Sequence, residues 1–148
     1  MRRIVAAWKE RGLRRLAGWA AAVVVDTVAR PDAAVLTYVP GDSDRRLLRG
    51  HHAAECLAEE LAEAWALPCT QLLHRNRGSP RQRGLTQSAR SRNVAGAFRA
   101  DGHVPVRIVL VDDVYTTGAT VNAVASALRR GGARTVEVVT FARTIRIR

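Results

Sequence analysis

The chain has 148 residues, 47% of them hydrophobic and 25% charged, values that exclude disordered, collagenous and low-complexity classes and leave room for one domain, 1–148, around a single core. Its net charge is +11, nearly all from arginine; the one lysine, Lys9, stands between Trp8 and Glu10, which excludes a Gly-Lys-Ser/Thr nucleotide loop and lysine Schiff-base chemistry. The two cysteines, Cys56 and Cys69, form no C-x-x-C pair, which excludes a zinc ribbon built from them and makes a reducing, cytoplasmic setting the expectation.

Met1-Arg2-Arg3 precedes the apolar stretch 16–25, which is too short to span a bilayer. Leu13, Leu16, Ala17, Ala20, Val24, Thr27 and Val28 instead share helical spacing, with Glu10, Arg14, Arg15 and Asp26 elsewhere on the wheel. This predicts a helix packed on a core, part of a helical cover over 1–30, rather than a leader peptide or membrane span.

From there short apolar runs alternate with helical patterns, the signature of a mainly parallel sheet flanked by helices in a three-layer, Rossmann-like α/β fold. A strand at 35–39 ends at Pro40-Gly41. A helix follows, with Ala54, Leu57, Ala58, Leu61, Ala62 and Trp65 on its buried side and Pro68 beyond it. A strand is expected at 70–73, then a long arginine-rich flexible loop over 74–105 that contains Gly78-Ser79-Pro80. The clearest strand is 108–111. A helix carrying Val121, Val124, Ala125 and Leu128 on one face, a Gly131-Gly132 stop and a last strand at 135–141 complete the pattern.

The chemistry is concentrated where that clearest strand meets its helix: Ile108-Val-Leu-Val-Asp112-Asp113-Val-Tyr-Thr116-Thr117-Gly118-Ala119-Thr120. Open α/β sheets bind ligands at the carboxyl ends of their strands, and here that end carries two adjacent carboxylates. The following loop offers three hydroxyls, free backbone N–H groups and the positive end of a helix dipole, a cradle for a phosphate dianion. Acids would repel a phosphate placed directly against them, so they suit sugar hydroxyls or Mg2+ while the cradle holds a phosphate several ångströms away, the layout of a ribose 5-phosphate. Taken singly, each residue also suits a structural role: Thr116 or Thr117 as a helix cap, Gly118 as a turn, Asp112 as an acid near a helix start. A haloacid-type phosphatase is excluded because Val114, not a second aspartate, stands two positions after Asp112.

At these residues the sequence resembles the type I phosphoribosyltransferases, whose signature is an apolar strand, two acids and Thr/Ser-Thr/Ser-Gly-x-Thr/Ser. Trp8-Lys9-Glu10-Arg11-Gly12, Val39-Pro40, Arg49-Gly50, the Gln82, Leu85, Arg90, Asn93 and Phe98 pattern, and the ending from Gly131 to Arg143 resemble one branch, the ComF-like amidophosphoribosyltransferase-related proteins associated with competence for DNA uptake. It departs from that branch in having no zinc ribbon ahead of Trp8, in His51-His52-Ala53 after the Arg-Gly step, and in two further acids, Asp42 and Asp44, in the first loop.

The resemblance implies that Asp112 and Asp113 bind the ribose hydroxyls of 5-phosphoribosyl 1-diphosphate (PRPP) and that Thr116, Thr117, Gly118, Ala119 and Thr120 bind its 5-phosphate. Mg2+ would sit on substrate oxygens, with Asp112 and Asp113 as its possible protein ligands, and Arg45, Arg49, Arg75, Arg77 and Arg81 would stand on the diphosphate side. The segment 75–92 would then be a lid over the diphosphate; a solvated basic loop explains it equally. The basic surface itself has two open explanations, high G+C coding and nucleic-acid binding. The second supports an alternative in which a non-catalytic ribose-phosphate or nucleotide-binding module engages single-stranded DNA or a DNA-uptake protein. With aromatics at 5% and none inside the basic segment before Phe98, stacking platforms for single-stranded DNA are sparse. His51, His52, His74 and His103 suggest no metal set, adjacent histidines rarely converging on one ion.

Overall fold

The computed structural model describes residues 15–41, 52–76, 96–115 and 117–143. Its first helix, α1 (Arg15–Thr27), lays Ala17, Ala20, Ala21 and Val24 into the core. Strand β1 (Val35–Tyr38) is buried along its length. Helix α2 (Ala53–Trp65) buries the apolar stripe expected from its spacing, and ends at Ala66 in a left-handed conformation, whose N–H reaches back to the last turn in place of a glycine stop.

The central strand is β4 (Arg107–Tyr115), followed by α3 (Ala119–Arg130) and β5 (Thr135–Arg143). β4 pairs in parallel with β1 on one side and with β5 on the other. Beyond β1 the sheet continues as a short parallel run, in which Leu36 N–H donates to the Pro68 carbonyl and Thr70 N–H to the Leu36 carbonyl at 2.8 and 3.0 Å. The fold is thus a parallel sheet flanked by helices.

One core fills the face under α1 and α2, with Leu36, Leu57, Leu61, Trp65, Val109 and Val111; a second fills the opposite face under α3, with Leu73, Phe98, Val104, Ile108, Leu110 and Leu128. Alternate β4 residues supply the two cores, as the twofold repeat of a strand requires. The described part of the N-terminal segment therefore belongs to a helical layer, and its far end is tied to α2 by Arg30 Nε donating to the Trp65 carbonyl. Trp19 does not face the core: it is 46% exposed and meets Phe141 edge-to-face at 5.5 Å.

Two differences from the sequence expectations lie between Pro68 and Pro105. The strand expected at 70–73 is split into the 68–70 run beside β1 and a separate strand, β2 (Leu73–Arg75). Within the expected loop, β3 (Phe98–Ala100) pairs antiparallel with β2, matching Leu73 to Ala100 and Arg75 to Phe98. Buried Leu73 and Phe98 pin this ribbon to the α3 face, His74 Nε2 lies 3.0 Å from an Asp101 carboxylate oxygen, and Arg99 pairs with the same acid. Thr37, fully buried in β1, accepts the Leu72 N–H at 3.2 Å, so the polar group is satisfied where the chain leaves the sheet edge.

Leu36 is fully buried at the junction of β1, β4 and α2. Leu36→Ala is expected to lower stability by about 2–5 kcal/mol, as leucine truncations in packed cores do, measured by urea denaturation; a loss below 1 kcal/mol would show this core to be loosely packed.

Candidate functional site

The connections after β1 and β4 leave the sheet in opposite directions. From β1 the chain passes through α2, on one face, to the outer run at 68–70; from β4 it passes through α3, on the other face, to β5. The carboxyl ends of these neighbouring strands therefore flank a switch point, where an open α/β sheet forms its ligand crevice. Val39 N–H still bonds the Val111 carbonyl at 3.0 Å, and immediately beyond that bond stand Pro40-Gly41 on one side and Asp112-Asp113 on the other.

The acids are not on a loop. β4 continues through them to Tyr115, because β5 pairs alongside: Asp112 opposes Thr140, Val114 opposes Ala142 and Tyr115 opposes Arg143. Successive strand residues point to opposite faces, so Asp112 follows the α3 side and Asp113 the α2 side. Asp113 is 8% exposed and Asp112 half-buried, and the Asp113 N–H donates to Asp112 Oδ1 at 2.9 Å.

Gly118 opens α3 with φ 74°, a left-handed conformation that side chains rarely adopt. A Cβ placed there would lie 2.3 Å from the Tyr115 hydroxyl oxygen, so chain direction and close approach both demand glycine. Gly118 offers no side chain to cap the helix start; among the described residues the Ala119 N–H makes a long 3.5 Å bond to Thr117 Oγ1. Tyr115 packs its hydroxyl on the loop and its ring beneath the Arg143 guanidinium, 5.7 Å from the ring centroid. From Thr117 a groove of about 340 Å³ runs down the exposed side of α3 past Asn122 and Ser126 to Arg130.

Across the crevice, Tyr38 O–H donates to Glu55 Oε1 at 2.8 Å, and the His52 ring at the start of α2 covers Gly41, where a Cβ would come within 2.0 Å of it. Burial, then the nearby Glu59 and Glu55 carboxylates, push the Cys69 thiol up to about 11, so this thiol stays protonated at neutral pH and is no nucleophile. Among the described residues no three His, Cys, Asp or Glu side chains are arranged to hold a metal ion.

Of the residues singled out from sequence, Asp112 and Asp113 lie in β4, Thr117 and Gly118 on the turn that follows, and Ala119 and Thr120 at the start of α3. Arg75 ends β2, stacked over Phe98 at 5.6 Å; Thr116, Arg45, Arg49, Arg77 and Arg81 lie outside the described residues. Arg143 was not singled out: it stands past the expected end of the last strand, and only its pairing with Tyr115 brings it to the loop.

Residues 54–146 match the model of the phosphoribosyl transferase domain. The chain belongs to this family. Within it the chain is ComF-like: it is 39% identical over 114 residues to the DNA utilization protein YhgH of Salmonella typhi, covering 72% of this chain and 48% of that protein. It is 33% identical over 104 residues to competence protein F of Haemophilus influenzae, covering 67% and 45% respectively. It thus spans about half the length of these relatives. Among solved structures, the glutamine PRPP amidotransferase of B. subtilis complexed with ADP and GMP shares 29% identity at TM-score 0.57, covering 86% of this chain and 26% of that one. An allosteric regulatory enzyme of purine biosynthesis gives 26% and 0.58 over the same shares. The fold is that of the type I phosphoribosyltransferases.

Gly102 also has positive φ, 68°, but open space around it. Gly102→Ala is expected to cost about 1 kcal/mol for the left-handed backbone alone and Gly118→Ala about 2 kcal/mol or more, since the latter also displaces Tyr115. Equal losses in thermal or urea unfolding would show that the Tyr115 contact does not constrain the loop.

Proposed function

We propose that this domain, taken as one unit over 1–148, binds PRPP in the β1/β4 crevice and transfers its phosphoribosyl group to an acceptor, releasing diphosphate. The observation that carries this reading is the juxtaposition at the switch point of two strand-borne carboxylates with a glycine-opened helix start. The phosphate of a ribose 5-phosphate would take the N–H groups of Thr117 to Thr120, and the ribose hydroxyls would donate to Asp112 and Asp113.

The family membership implies Mg2+, and the donor set suits it in a particular way. Because Asp112 and Asp113 diverge across the strand, at most one of them would reach a given ion, the remaining positions being filled by substrate oxygens and water, as Mg2+ prefers. When bound, the ion would offset negative charge on the leaving diphosphate. The chain's own carboxylates act on the other partner: as the bond from C1 to the diphosphate oxygen breaks and the bond to the acceptor forms, positive charge grows on the ribose ring. Fixed carboxylates beneath it oppose that charge without reorganising. Arg75 is the described arginine proposed for the diphosphate side, with Arg45, Arg49, Arg77 and Arg81 proposed beside it. Two free thiols suit a reducing compartment such as the cytoplasm; no described helix is long and apolar enough to cross a membrane.

Calorimetric titration with PRPP, with and without Mg2+, is expected to show Mg2+-dependent binding. Asp112→Asn combined with Asp113→Asn is expected to abolish it while leaving the far-ultraviolet spectrum unchanged; undiminished affinity would remove the ribose role of these acids.

A second reading is favoured by the α3 groove and by the names of the relatives. Thr117, Asn122, Ser126 and Arg130 offer hydroxyl, amide and guanidinium donors of the kind that contact phosphodiesters, and the relatives are a DNA utilization protein and a competence protein. In this reading a non-catalytic pocket senses a ribose phosphate or nucleotide while the basic surface engages single-stranded DNA or a DNA-uptake protein. Fluorescence anisotropy with labelled oligonucleotides is then expected to give binding that is steep in salt and indifferent to sequence; a shallow salt dependence would count against it.

A further inference from the structure

Three groups meet at the outer corner of the crevice in a fixed order. Tyr115 and Arg143 are the last matched pair of the β4–β5 ladder, and the guanidinium carbon lies 5.7 Å from the ring centroid, inside the range where a cation is attracted to an aromatic face. The far end of the same ring, its hydroxyl, rests on Gly118, where no side chain fits. A force on Arg143 is therefore transmitted through a rigid ring to the residue that opens α3.

Asp112 and Asp113 stand on the neighbouring strand residues, and the described loop residues Thr117 to Thr120 carry no charge. Among the described residues, a phosphomonoester seated there would feel two carboxylates a few residues away and the partial positive charge of a helix start. Arg99 pairs with Asp101 and Arg107 with Asp32, while Arg30 and Arg130 bond the Trp65 carbonyl and the Ser126 hydroxyl. Arg143 is exposed, and among the described residues it has no carboxylate partner. Stacking uses the face of a guanidinium and leaves its N–H edge available to an oxyanion.

We propose that Arg143 is the positioning cation of the phosphate loop: stacked on Tyr115, it holds the tyrosine against Gly118 and supplies the positive charge that allows a phosphomonoester to sit beside Asp112 and Asp113. This deepens the function proposed above and rests on it. Arg143 is a positioning residue rather than a catalytic one, and the ligand feature it selects is the terminal phosphate, not the diphosphate.

The test is calorimetry of wild type, Arg143→Met, Arg143→Lys and Tyr115→Leu with three probes: PRPP, ribose 5-phosphate and inorganic diphosphate, the folded state of each variant being checked by its thermal transition. Arg143→Met keeps an apolar stem on the ring and removes the charge. It is expected to weaken PRPP and ribose 5-phosphate about tenfold, the scale of one charge-assisted contact, and to leave diphosphate unchanged. Lysine is expected to recover part of the loss. Tyr115→Leu is expected to reproduce the phosphate-specific loss, and the double variant to fall short of the two single losses combined, because the residues act through one contact. Wild-type binding with Arg143→Met unchanged, or with diphosphate weakened equally, overturns the inference and leaves the PRPP reading standing. A folded wild type that binds neither PRPP nor ribose 5-phosphate overturns both.

Discussion

Strand β4 is held from both sides, by β1 through Val111 and by β5 as far as the Tyr115–Arg143 pair, and the carboxyl edge of the sheet depends on that double pairing. A strand end with no partner would fray where the apolar run stops. Here β5 continues past the point at which β1 turns away, so the backbone of two consecutive aspartates is carried in regular extended geometry into the crevice. The alternation of the strand then sends their carboxylates to opposite faces. Position, separation and direction of the acids all follow from the ladder.

The same ladder fixes the loop. Tyr115, the last residue of β4, packs against the α3-side core, and its hydroxyl lies against Gly118. Gly118 takes its left-handed turn beside that hydroxyl, and α3 starts from it. The turn is held by a strand on one side and by a helix buried through Val121, Val124 and Leu128 on the other.

Periodicity makes the helices and the strand nucleus legible in the sequence. Ala54 to Trp65 has one apolar stripe at helical spacing, and it is the stripe that is buried; Ile108 to Val111 is apolar throughout because both faces are covered. The misses have a common cause, since they are pairings rather than propensities. Asp112 to Tyr115 has no apolar alternation, yet it is strand because β5 lies beside it. Phe98 to Ala100 is three residues in an arginine-rich stretch, too short for a twofold pattern, and becomes a strand only against Leu73 to Arg75. Arg143 drew no attention because its meaning lies in the residue across the ladder, 28 positions earlier in the chain. The candidate acids and the glycine were legible as a motif; the groups that orient them were not.

Asp113 bears on whether this edge is scaffold or site. Enclosing a carboxylate to 8% exposure costs free energy through lost hydration, and even a well-satisfied buried charge is often less stabilising than an apolar residue of similar volume. The neighbouring buried positions of β4, Ile108 to Val111, are apolar, and a valine at 113 would continue them into the same core without that cost. A buried acid at the switch point, on a strand whose neighbouring buried positions are apolar, is the feature of this edge that the proposed ligand role would account for.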